Sequence, residues 1–350
     1  LVGLMNEGNT CFLNSCLQCL AHTVPLSSAI LGPFSELIQT KGAAARSRRD
    51  TASLSEMLAY SFRQLLKDLC GKPSYSTASA SMLLQSLQGL SPQFAGNRQH
   101  DAQEAMRTII DGLHEALNRK PPGRPKCPEP PPTTPEAEIA DICWEHHKMW
   151  NNSLTISCLT GQLQSTIECS VCHRKSHCFD PFLDLSLPLS KSGGSDNFRN
   201  FGSSRSRMTI EDCLSAFVAP ETLDPSNKYY CSGCKAPQIS TKKLSIYRAP
   251  SVLVLHIKRF YGVEPRSYRK DDRPVVYPLN GLDLSSFMRH FSQQQATYDL
   301  YGVCSHFGSL GYGHYTATCR SVDNGWYCYN DSSVTSVQDP VDSSAYILFY

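Results

Sequence analysis

Two short cysteine motifs constrain this chain more than any other feature. They are Cys169-Ser-Val-Cys172 and Cys231-Ser-Gly-Cys234, separated by the 58 residues 173–230. A C-x-x-C makes a tight knuckle that presents two thiolates to one ion. Two knuckles together supply the closed tetrahedral set of a structural zinc site, with no open position. Segments far apart in sequence must then meet in space. The alternative is two independent redox motifs, but neither pair sits on a strand–helix–strand pattern. His173, His177 and Cys178 stand near enough to act as substitute ligands. One structural Zn²⁺ is expected on Cys169, Cys172, Cys231 and Cys234, pinning the ends of two hairpins with little apolar core of their own.

The rest of the chain reads as an α+β domain. Leu54, Met57, Leu58, Phe62, Leu65, Leu66 and Leu69 recur at helical spacing, as do Met106, Ile109, Ile110, Leu113 and Leu117. Residues 121–135 hold eight prolines, which deny the segment a helix and mark a surface insertion. A second break, at 190–207, is rich in Ser, Gly and Arg. The last third reads as strands. SVLVLHIKRF at 251–260 has the apolar run of a buried central strand, and YDLYGVCSHF, HYTATCRSV, GWYCYND and AYILFY follow at short intervals. With 350 residues, 41% of them hydrophobic, the chain can build a sizeable core without disulfide staples. Its 16 cysteines are therefore expected to be reduced, which points to the cytoplasm or nucleus. A net charge of +2 supplies no basic field for nucleic acid, no run of 18 apolar residues spans a membrane, and LVGLMNEGNT has no signal-peptide character. A monomer without nucleic-acid or membrane partners is expected.

The opening, LMNEGNTCFLNSCLQCLAHT, carries chemistry. Phe12, Leu13, Cys16, Leu17 and Leu20 form one apolar helical face, and Gly8-Asn9-Thr10 before them is loop and cap chemistry. Cys11 falls in the first turn, where unpaired N–H groups and the helix dipole favour a thiolate. Asn6 can turn its amide towards an oxyanion formed there. A bland reading treats Cys11 as a small buried apolar residue, like Cys16 and Cys19. A nucleophilic thiolate needs a histidine partner. His314, in GYGHYTATC, opens a strand after a Gly-rich loop, and WYCYNDSS puts Asn330 and Asp331 at the end of the next strand. In a hairpin, either could lie beside His314 and fix its tautomer. His306 is the rival base. His256, inside the apolar strand, reads as structural, and His22, His100, His146 and His147 lack a nearby acid-and-strand pattern.

Taken in order, GNTCFLNSCLQCL, QHDAQEAMRTIID, the two C-x-x-C pairs, FDPFLDLSLPL, LVLHIKRF, GHYTA and YNDSSVT resemble the ubiquitin-specific proteases, papain-like cysteine deubiquitinases. The resemblance covers nearly the whole chain. It implies a thumb (1–120), a Pro-rich insertion (121–140), zinc-tipped fingers (about 155–178 and 227–248) and a palm (179–226 and 249–350). It further implies cleavage of the isopeptide bond after the C-terminal glycine of ubiquitin, with ubiquitin and ubiquitinated proteins as partners. By resemblance Cys11 is the nucleophile, His314 the general base, Asn330 the third triad position with Asp331 beside it, and Asn6 the oxyanion residue. Gln99 and Asp101 match positions that meet the ubiquitin tail, and Tyr315 one that lines the Gly-Gly channel. Because Asn330 is neutral, Asp331 is expected to share the holding of His314. The other readings are a ubiquitin-binding scaffold without turnover, a protease for another ubiquitin-like protein, and a zinc-finger nucleic-acid module.

Overall fold

The computed structural model describes residues 1–48, 50–71, 75–119, 121, 123, 126–128, 130–131, 133–189, 208–264, 267–289, 296–309 and 312–350. The Ser/Gly/Arg-rich stretch 190–207 lies outside the described residues. Six helices come first: α1 (Cys11–His22), α2 (Val24–Leu31), α3 (Ser35–Ala45), α4 (Thr51–Cys70), α5 (Ser81–Leu90) and α6 (Ala102–Leu117). Asp50 caps α4 by accepting from the Ser53 N–H, and Asp101 caps α6 by accepting from Gln103 and Glu104. The apolar faces read from sequence are the buried ones: Leu58, Phe62, Leu65 and Leu66 on α4, and Met106, Ile109, Ile110, Leu113 and Leu117 on α6. Helix α1 differs in being buried on every side, from Cys11 through Ala21.

The span 121–140, expected to be insertion throughout, ends earlier than that. Helix α7 (Glu136–Trp150) starts directly after Pro135. The prolines stop there, and Glu136 and Glu138 in its first turn suit the positive end of the helix dipole.

In chain order the main strands are β1 (Gly161–Cys169), β2 (Lys175–Phe182), β3 (Leu185–Pro188), β4 (Ser240–Arg248), β5 (Val254–Lys258), β6 (Gly302–Ser309), β7 (Tyr312–Arg320), β8 (Trp326–Asn330), β9 (Ser333–Val337) and β10 (Ala345–Phe349). The first sheet has the order β2-β1-β4, with Glu221–Thr222 at its edge. Strand β2 continues past residue 178, where the fingers were expected to end. The second sheet has the order β9-β8-β7-β6-β10-β5-β3, antiparallel except for the parallel β5–β3 pair. Helix α1 packs across β7 on one face of this sheet, with α4 and α6 behind it.

Strand β5 is buried on both faces, as its continuous apolar run requires: Val254 faces the helical core, while Leu255 and Ile257 face a second core with Leu185, Leu187 and Leu214. It is shorter than the run, because Arg259 turns inward. That guanidinium is fully buried and bridges four main-chain carbonyls, with Nε to Ala345 at 2.8 Å, Nη1 to Asp271 and Arg273 at 2.9 Å each, and Nη2 to Ser343 at 2.8 Å. It thereby ties the end of β5 to the start of β10. Replacing Arg259 with Leu leaves four main-chain carbonyls without this donor, that of Ala345 buried, and Lys offers no planar fork to satisfy them. Arg259→Leu is expected to lower unfolding stability by roughly 3 kcal/mol or more, read as a lower urea midpoint at unchanged slope.

Candidate active site

Cys11 opens α1 and is 2% exposed. Two consecutive left-handed residues, Gly8 (φ 87°) and Asn9 (φ 63°), turn the chain into the helix; Gly and Asn are the residues that tolerate this region. Thr10 occupies the cap position, but its side chain does not cap. Its hydroxyl instead accepts from the Glu7 N–H at 2.9 Å, and its own N–H donates to Asn6 Oδ1 at 3.1 Å. Burial pushes the Cys11 thiol up from its ordinary value; the N–H groups of Tyr315 and Phe12, aimed at the sulfur, oppose this, while Asp331 and Cys304 add to the rise. The expected thiolate preference of a helix start is thus reversed in the free protein. Desolvation outweighs the two donors.

His314 lies on β7, and the next residue, Tyr315, directs its N–H at the Cys11 sulfur. Adjacent α-carbons are ~3.8 Å apart, so residues 303 positions distant (314 − 11) meet at one place. Strands β7 and β8 pair antiparallel, and Asn330, the last residue of β8, accepts from His314 Nε2 through Oδ1 at 2.7 Å. With an amide oxygen as acceptor, Nε2 carries the proton and Nδ1 is left as the base.

Asp331 is placed differently from the expectation that it helps hold His314. It adopts a left-handed turn (φ 50°) that swings its carboxylate to the N-terminal segment. Oδ2 accepts from Asn6 Nδ2 and Oδ1 from Asn14 Nδ2, both at 2.8 Å. Asn14 also donates to the Met5 carbonyl at 3.1 Å. This residue was missed from the sequence. The available signal was a polar side chain three positions after Cys11, inside an otherwise apolar helix.

The residues expected at a peptide tail are engaged within the protein. Gln99 accepts from the Gly313 N–H at 2.7 Å and donates to the Gly313 carbonyl at 2.5 Å. Asp101 caps α6 and also accepts from the Tyr346 hydroxyl. Tyr315 is 6% exposed, its ring packed on His306 and Tyr346. The rival base, His306, is enclosed by the rings of Phe260, Tyr315 and Tyr346, and its Nδ1 is buried without a partner. Burial and then Lys270 pull its pKa down to about 4.

In the fingers, all four Sγ atoms of Cys169, Cys172, Cys231 and Cys234 lie within 4.8 Å of one another. Cys172–Cys231 is 3.4 Å and Cys169–Cys234 is 3.9 Å. Tetrahedral zinc with ~2.3 Å bonds requires sulfur–sulfur edges of about 3.8 Å, so the set is shaped for such an ion. The substitute ligands stand elsewhere: His173 pairs with Glu168, His177 contacts Gln164 and Thr166, and Cys178 donates to Asp180. All sixteen cysteines are free thiols.

Helical thumb, sheet palm and cysteine-tipped fingers, with Cys11 and His314 on facing elements, define a papain-like α+β fold. The family model described as ubiquitin carboxyl-terminal hydrolase matches residues 2–350. The chain belongs to that family. It is 36% identical over 354 residues to ubiquitin carboxyl-terminal hydrolase 2 of Rattus norvegicus, covering all of this chain and 54% of the relative. It is 37% identical to the Gallus gallus protein of the same name, covering 93% of that one. Ubiquitin carboxyl-terminal hydrolase 21 of Rattus norvegicus is 33% identical, with 61% of its length covered. The chain thus spans between half and two thirds of the mammalian relatives. Among solved structures, the SAGA DUB module of Ubp8, Sgf11, Sus1 and Sgf73 bound to monoubiquitin superposes with a TM-score of 0.74 at 26% identity, covering 100% of this chain and 68% of the other. The same module bound to ubiquitin aldehyde gives 0.72 at 27%, covering 100% and 69%.

The His306 environment predicts an acid limb in stability. The folded state lowers its pKa from an ordinary 6.5 to about 4, so folding favours the neutral ring. That contribution is complete above pH 6.5 and is lost as pH falls towards 4, reaching roughly 3 kcal/mol. The stability difference between pH 7 and pH 4 is expected to shrink in His306→Phe, measured by urea unfolding at both pH values.

Proposed function

We propose that the chain is a deubiquitinating thiol hydrolase, cleaving the isopeptide bond after the C-terminal glycine of ubiquitin through a thioester. The observation that carries this reading is the seam itself. The Tyr315 N–H points at the Cys11 sulfur while His314, one residue away, is oriented by Asn330. His314 Nδ1 takes the Cys11 proton, and the sulfur attacks the glycine carbonyl carbon. The oxyanion is received by the Cys11 N–H and by the second hydrogen of Asn6 Nδ2, whose first is held by Asp331. The C–N bond breaks as imidazolium passes its proton to the departing lysine amine. His314 then takes a proton from water, hydroxide adds to the thioester carbon, and the Cys11 thiolate leaves and is reprotonated.

Asp331 acts as the anchor of Asn6 in this scheme, and Asn330 as the orienter of His314. The related Ubp8 modules bound to monoubiquitin and ubiquitin aldehyde support ubiquitin as the partner. The four cysteines Cys169, Cys172, Cys231 and Cys234 would hold one Zn²⁺, which when bound cross-links the two knuckles. The reading also includes a thumb, fingers and palm, with the insertion ending at Pro135 and the first finger hairpin running on to Phe182, a monomer, and cytoplasmic or nuclear residence, for which the free thiols are the support.

A fluorogenic amide at the ubiquitin C-terminus tests the reaction. Wild type is expected to turn over, Cys11→Ala to lose all turnover, and His314→Ala to lose on the order of 10²–10⁴-fold. Binding without turnover by wild type would leave a scaffold instead. Asp331→Ala should lower kcat by roughly 10²-fold, as loss of one oxyanion donor does. For the fingers, Cys172→Ser is expected to reduce bound zinc from one ion per chain to well below one, with a lower melting temperature. Unchanged metal content by elemental analysis would remove the zinc assignment.

A further inference from the structure

We infer that Gln99 is a positioning residue for the Cys11–His314 pair: residues Gln99-His100-Asp101 form a rigid strap joining the helix that carries the nucleophile to the strand that carries the base. This inference rests on the reading of Cys11 and His314 above, and it departs from the tail-contact role that resemblance implies for Gln99.

Three consecutive residues make three different attachments. Gln99 brackets the Gly313 peptide with both amide atoms, accepting at 2.7 Å and donating at 2.5 Å. The His100 ring packs edge-on against Phe12, the residue after Cys11, at 5.3 Å, and against Phe94 at 5.2 Å. Asp101 fixes the start of α6 and accepts from Tyr346 on β10. The strap therefore spans α1, α6, β7 and β10 within three residues, close to the minimum chain length for such a bridge.

The bracket falls on a rung of β7 that carries no side chains of its own. Gly313 pairs with Gly308 across the β6–β7 hairpin, so this rung presents no side chains to pack. Nor can side chains be added. A Cβ at 313 would stand 2.1 Å from His306 Nε2, and one at Gly308, whose φ is 87°, would stand 2.7 Å from the Tyr312 carbonyl. A bare backbone rung next to His314 can be fixed to the helical half only through its N–H and C=O, and Gln99 takes both. An amide is suited to this task, since it carries one donor and one acceptor side by side. The consequence is mechanical: freeing Gly313 lets the His314 backbone shift relative to Cys11. Misplacement by about 1 Å costs on the order of 10²-fold in rate.

The test uses Gln99→Ala and Gln99→Glu in the full chain, with His314→Ala as the benchmark. Two readouts are taken: steady-state hydrolysis of the ubiquitin C-terminal fluorogenic amide, and the rate of Cys11 alkylation by iodoacetamide, followed on the Cys11 peptide by mass spectrometry. The strap predicts that Gln99→Ala lowers kcat by 10- to 100-fold with KM within about threefold, and slows Cys11 alkylation towards the His314→Ala rate at unchanged melting temperature. It also predicts that Gln99→Glu recovers relative to wild type as pH falls, because a protonated carboxyl restores the donor and acceptor pair. A raised KM with unaltered kcat and alkylation would make Gln99 a tail contact and overturn the inference. Wild-type rates in both assays would overturn it as well. If wild type fails to hydrolyse the ubiquitin amide, the substrate assignment falls separately, because alkylation still reports the Cys11–His314 coupling without any tail.

Discussion

A helix with no exposed face is the constraint on which the rest of this structure depends. Helix α1 lies between the other thumb helices and the palm sheet, so each polar side chain it carries must find a partner inside the protein. Asn14 donates to Met5 and Asp331, Ser15 to the Phe12 carbonyl and Gln18 to the Val2 carbonyl. The Asn14 and Gln18 bonds reach outside the helix and fix its roll about its axis, and with it the direction in which Cys11 faces. Small thiols line the same seam. Cys16 reaches the Ala102 carbonyl, Cys304 reaches Ser15, and Cys19 meets Cys319 of β7 at 3.9 Å. Small residues here let helix and strand approach closely, so that the Tyr315 N–H of the strand acts on the Cys11 sulfur.

The turn after β8 is the second fixed point. Asp331 takes a left-handed conformation, its carbonyl accepts from the Leu4 N–H at 2.8 Å, and its carboxylate gathers Asn6 and Asn14. A Cβ on Gly3 would collide with the Ser332 carbonyl at 2.5 Å, which shows how closely the N-terminal segment lies on this turn. The residue bonded to His314 and the residue bonded to Asn6 are therefore neighbours in sequence, Asn330 and Asp331, sent to opposite sides by one backbone rotation.

Local chemistry made much of this legible in advance. Periodicity placed α4 and α6, the apolar run placed β5, and the four cysteines were readable because thiolate knuckles have a spacing of their own. The pairing of β7 with β8 followed from two strand patterns separated by a short turn, and it brought Asn330 to His314. What was illegible depends on long-range geometry. That Asp331 turns away from His314 is decided by a single φ. That Gln99 faces Gly313 depends on a rung without side chains, and sequence spacing carries no sign that a separation of 214 positions is closed in space. The state of Cys11 was misjudged because the helix dipole is a local property, whereas desolvation is set by everything packed around the sulfur.

That misjudgement bears on how the site works. A buried thiol with Asp331 nearby resists ionisation if its proton goes to solvent, because the chain is left with a new negative charge in a poorly hydrated place. Transfer to His314 is a different process. A thiolate and an imidazolium appear together, and the net charge of the site does not change. The Phe12 and Tyr315 N–H groups favour the ionised sulfur that this transfer creates. Asn330 adds no charge to this balance, so it orients the ring without locking the proton on it. On the proposed reading, transfer of the Cys11 proton therefore depends on how α1 and β7 are placed relative to each other as well as on the acidity of the thiol itself.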